Sequence, residues 1–123
     1  MAKVKAKGER AGVLVVHVTS HGYGHMNRAV AVINQTPDAL PVVIRCHSDL
    51  FPNWRERLTR PADLVPHVSD SGAVNPAGGS GETDAAATLA RAVEVYREAE
   101  PRIADDAAFL RDVGAAAGLS DAP

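Results

Sequence analysis

Between Thr19 and Arg28 the chain reads Thr-Ser-His-Gly-Tyr-Gly-His-Met-Asn-Arg. Imidazole is the side chain best suited to take a proton from a hydroxyl near neutral pH, so His25 and His21 are the candidate general bases. Gly22 and Gly24 let a ligand approach the backbone closely. Arg28 can offset phosphate charge, with an outward-facing helical arginine as the plain alternative. Ser20 and Tyr23 complete a loop whose candidate role is substrate or phosphate binding. The plain alternative for His21 is a loop histidine bonded to nearby backbone, and for the glycines a simple chain turn.

These residues need an element before them and one after. Val13 to Val18 is β-branched and almost continuously apolar, which suits a strand buried on both faces. From Met26 the period becomes helical, with Met26, Ala29, Val30 and Ile33 on one face. The loop therefore stands at a helix start, where unpaired backbone N–H groups and the helix dipole favour an anion. Val42–Cys46 is a second strand, and strand, helix and strand at this spacing form a parallel βαβ unit. His47, Ser48 and Asp49 follow on the rim where open α/β sheets collect ligands, so Ser48 joins the candidates. Capping of the short turn Leu50–Arg55 by Ser48 or Asp49 is the plain alternative, with Phe51 and Trp54 packing that turn on the core.

A third strand is expected over Leu64–Val68, with Pro66 favouring its end or an edge. The glycine-rich stretch 69–81 then offers Asp70 and Asn75 as hydrogen-bonding groups for a ligand's hydroxyls, or serves as a connection. Thr83 reads as a helix N-cap, and apolar positions from Leu89 to Leu110 predict a helix over Asp84–Val113. Pro101 should kink it or divide it into two abutting helices. Glu98 and Arg102 are spaced for an ion pair. Gly114 can end the helix, and Ala115–Pro123 reads as a disordered tail.

The segment HVTSHGYGHMNRAVAVINQ resembles the opening of GT-B type glycosyltransferases. It is most similar to glycosyltransferase-like and L-arabinokinase N-terminal proteins with a His-Gly-x-Gly-His-x-x-Arg first loop. The likeness continues more weakly through VVIRCHSDLF and SDSGAVNP to near Val113. It implies a nucleotide-sugar donor, an acceptor of unspecified identity, no cofactor, and a histidine base at Gly24-His25. It also implies that the chain covers the first half of an acceptor-side domain, that a C-terminal domain is missing, and that the fragment is inactive alone or self-associates. The alternative is a non-enzymatic nucleotide- or sugar-phosphate-binding fragment, or an interaction module.

Composition limits these readings. A chain of 123 residues, 46% hydrophobic and of net charge −2, suits one small domain and argues against a nucleic-acid binder. No apolar run is long enough to span a membrane, and the single Cys46 argues against disulfides, so a cytoplasmic protein is expected. Met1–Gly12 reads as a loose basic arm, with Lys3, Lys5 and Lys7 solvated. A dinucleotide site would want glycine at Asn27 and an acidic residue near Cys46 and His47. No Gly-Lys-Ser/Thr follows the loop, which excludes the usual P-loop. His17, His21 and His25 recur every fourth residue, but strand and loop backbone do not align that spacing, so no metal is assigned. The expected architecture is thus α/β: a Rossmann-like, three-stranded parallel sheet over residues 13–114 with flanking helices.

Overall fold

The computed structural model describes residues 12–19, 23–68 and 82–121. The fold is α/β and Rossmann-like. Strands β1 (Val13–His17), β2 (Val42–Cys46), β3 (Asp63–Pro66) and β4 (Ala115–Ser120) form one sheet in the order β3-β2-β1-β4. Every neighbouring pair is parallel: Val16 registers with Ile44 of β2 and Leu119 of β4, and Ile44 registers with Leu64 of β3. Helices α1 (Gly24–Asn34), α2 (Phe51–Arg57), α3 (Ala85–Arg97) and α4 (Ala99–Val113) make the connections.

Alternation along the strands divides the core into two layers, as it must when successive side chains point to opposite faces. On one face Val16, Val42, Ile44 and Cys46 meet Met26, Ala29, Val30 and Ile33 of α1 and Trp54 of α2. On the other, Val13, Val15 and Val43 meet Phe109, Leu110 and Val113 of α4. Helix α3 buries no residue and leaves Leu89, Val93 and Tyr96 exposed. Arg60 lies buried at the α2–β3 connection, where it donates to the carbonyls of Thr36, Pro37 and Pro61 and to Thr36 Oγ1. Those bonds pin the turn between α1 and β2.

Three expectations need correction. Ala115–Ser120 is not a tail: it is β4, the strand that flanks β1 on its far side. Its residues, Ala-Ala-Ala-Gly-Leu-Ser, lack a β-branched run because the strand is an exposed edge, where little apolar burial is demanded. The sheet accordingly has four strands rather than three. The cap of α3 is Asp84, whose carboxylate accepts from Ala87 N at 2.9 Å, and not Thr83.

The long helical stretch divides at Glu98, three residues before Pro101, because Pro101 has no N–H for the carbonyl of Arg97 and is accommodated in the first turn of α4. The Glu98–Arg102 pair forms at 3.1 Å. Gly114 ends α4 at φ +71°, a left-handed conformation that disfavours other residues. Gly12, assigned to the arm, packs against β4 so closely that a Cβ would collide with the Cβ of Ala116. No described helix is long and apolar enough to cross a membrane.

Candidate functional site

All four strands run the same way, so their C-terminal ends share one rim. The chain builds β1, β2 and β3 in one direction and then returns to the other side of β1 with β4. Between β1 and β4 the order therefore reverses, and such a switch point leaves a crevice above the strand ends. Thr19 follows β1 there, α1 begins there at Gly24, and Asp121 follows β4.

The Asp121 carboxylate joins these pieces. Its Oδ1 accepts from Thr19 N at 3.1 Å, and its Oδ2 accepts from Thr19 Oγ1 at 3.2 Å. His25 Nδ1 stands 3.1 Å from the same Oδ2. Its N–H direction falls off that line, so the approach is of ion-pair range without the alignment of a straight hydrogen bond. Nδ1 has no solvent access, while the His25 side chain as a whole is 41% exposed. Nε2 is the nitrogen left to meet a ligand. Asp121, 16% exposed, is fixed by Thr19 and holds the imidazole from behind. A histidine backed by a carboxylate is oriented for proton transfer through its other nitrogen.

Around this pair, Tyr23 caps α1 by position only, since its side chain makes no capping bond. Its ring faces the guanidinium of Arg57 at 5.6 Å, and Arg57 also bonds Asn27 Oδ1, which ties α2 to the start of α1. A Cβ at Gly24 would meet no described residue within 4 Å, and its φ is not positive. Among the described residues neither packing nor backbone angle requires glycine there. Arg28 is exposed on α1, three residues beyond His25.

Other candidates are placed elsewhere. Ser48 is exposed in a short 3-10 turn after β2, where His47 Nδ1 accepts from Asp49 N at 3.2 Å. His47 thus caps the 3-10 turn Ser48–Leu50, while neither Ser48 nor Asp49 caps the helix that follows, whose N-cap is Leu50 with no side-chain cap bond. Ser20, His21, Gly22, Asp70 and Asn75 lie outside the described residues. Cys46 is fully buried, and burial pushes its thiol up to about 11, so it is an inert core residue. Asp121 and Thr19 are residues of this candidate site that sequence reasoning missed. Asp121 follows a weakly β-forming segment and stands 102 residues from its partner, so no local pattern links them. The chain matches none of the family models, curated proteins and solved structures with which it was compared.

Proposed function

We propose that the chain is the acceptor-side part of a glycosyltransferase, in which His25 takes the proton of an acceptor hydroxyl as that oxygen attacks the anomeric carbon of a nucleotide-sugar. The observation that carries this reading is the His25–Asp121 pair at the β1/β4 switch point. Transfer forms the glycosidic C–O bond, breaks the bond to the leaving nucleoside diphosphate, and moves the acceptor proton to Nε2. Asp121 stabilises the imidazolium that results. Among the described residues no side chain caps the start of α1 and none lies within 4 Å of a Cβ at Gly24, which favours the approach of a polar, anionic ligand to the same rim.

The test is acceptor-dependent release of nucleoside diphosphate from a panel of nucleotide-sugars, by this chain together with any polypeptide that completes its donor side. His25→Ala should lower kcat about a hundredfold with donor binding nearly unchanged, the range for loss of a general base. Asp121→Asn should lower it by about tenfold or more. Turnover that survives His25→Ala removes His25 as the base. Ligand binding without any turnover would favour the second reading, a nucleotide- or sugar-phosphate-binding module, for which the same uncapped helix start speaks.

A further inference from the structure

Four ionisable side chains meet where the ends of three strands face α4: His17 from β1, Arg45 from β2, His67 just past β3, and Asp106 from the helix. Arg45 is buried and reaches α4 twice. Its Nη1 donates to Asp106 Oδ1 at 2.7 Å, and its guanidinium lies 4.1 Å from the centroid of the Phe109 ring. His67 Nε2 stands 3.7 Å from that same Oδ1, and the His17 and His67 rings meet edge-on with centroids 5.6 Å apart. One carboxylate oxygen thus serves a guanidinium and an imidazole, with a second imidazole behind. Of the other charges on this side, Arg102 is paired with Glu98, and Asp105 is exposed.

The layer these groups join is the thinner of the two. Helix α1 buries Met26, Ala29, Val30 and Ile33 against its face of the sheet. Neither α3 nor α4 buries a residue, and α4 offers the half-buried Phe109, Leu110 and Val113. An element held by few buried apolar contacts is the one that opens first. The polar cluster therefore carries a larger share of what seats α4 than it could on the opposite face. With both imidazoles neutral, the guanidinium and the carboxylate balance. With both protonated, three cations on the sheet side face one carboxylate in space that α4 partly shields from water. We propose that the cluster is an acid-sensitive clasp: protonation of His17 and His67 loosens α4, together with α3, from the sheet while β1, α1, β2 and α2 stay folded. The clasp lies apart from His25 and does not depend on the transferase reading.

The surroundings of the two rings set the direction. Burial first, and then the Arg45 charge, lowers both midpoints below the ordinary imidazole value of 6.5. Asp106 opposes this without overcoming it, and for His67 the His17 ring and Arg102 add to the lowering. A conformation in which α4 has lifted away hydrates both rings and lets them titrate closer to the ordinary value. It therefore binds more protons below about pH 6.5, and its population grows as pH falls.

The test is amide hydrogen exchange on the full chain at about pH 7.5 and about pH 5.5, corrected for intrinsic rates, in urea from zero to ~1 M. Amides of α4 around Phe109 and Leu110 should open roughly three- to tenfold more readily at the lower pH. Their exchange should not steepen with urea, since a local opening exposes little surface. The most protected amides of α1 should instead show the full urea slope of global unfolding. His67→Gln and His17→Gln should each diminish the acid response in α4, and His25→Ala should leave it intact. The clasp is overturned by α4 amides that share the α1 urea slope at the lower pH, or by an α4 opening indifferent to pH. An acid response undiminished in His67→Gln and His17→Gln, or abolished in His25→Ala, overturns it as well.

Discussion

Arg60 carries a full charge into the interior and satisfies it on backbone carbonyls rather than on a carboxylate. Its replacement would remove the donors that hold the carbonyls of Thr36, Pro37 and Pro61 together and leave a void at a position where the arginine itself is buried. Arg60→Ala should therefore cost about 2–4 kcal/mol in urea denaturation, more than a surface arginine would. Gly24 predicts the opposite separation of stability from function. Since its backbone angle is open to other residues and a Cβ meets no described residue, Gly24→Ala should leave stability unchanged or raise it by up to about 1 kcal/mol. On the transferase reading acceptor turnover should nevertheless fall, and a variant equally stable and equally active would show that glycine is not needed there. At this scale the sequence was legible where a periodic pattern meets the core, as with the inward face Met26, Ala29, Val30 and Ile33. It was illegible where one side chain serves distant backbone, as with Arg60 and Asp121.

Between elements, the ends of β1 and β2 deliver His17 and Arg45 to the α4 face, and His67 stands just past β3. Burial is the main reason that both histidines prefer the neutral form, with Arg45 adding to it. In the unfolded chain they titrate near 6.5, so below that pH the unfolded state binds more protons than the native one. Stability should be full above about pH 6.5, decline as pH falls through that value, and level off below the native midpoints. The partly exposed Asp63 carboxyl, pushed upward by desolvation, works in the other direction at more acidic pH. Urea midpoints between pH 7.5 and 5 should show the decline, and His67→Gln should flatten it; an equal slope in that variant would clear His67. Strands β1 and β2 were plain in sequence because each is a dense β-branched run. Strand β4 was not, since an edge paired to a strong central strand needs no apolar signal of its own.

For the molecule as a whole, two described edges, β3 and β4, have no neighbour on their outer sides, and Leu89, Val93, Tyr96 and Ile103 are exposed along α3 and α4. Such surfaces favour association and leave little burial to support α3. The thermal midpoint should fall within or below the ordinary ~45–65 °C range and rise with protein concentration; a sharp, concentration-independent transition well above it would contradict this. The sheet order also governs when the rim exists at all. Strand β1 takes one neighbour from the next element and the other from a segment synthesised roughly a hundred residues later, so Thr19 and Asp121 meet only through a contact of very high sequence separation. A nascent chain that has already docked β1, α1, β2 and β3 still holds His25 without its carboxylate. The same holds for the finished protein in its partial openings: peeling β4 from the edge would part His25 from Asp121 while the rest of the sheet stays folded, so on the transferase reading the strand is a latch on the site as well as a part of the fold.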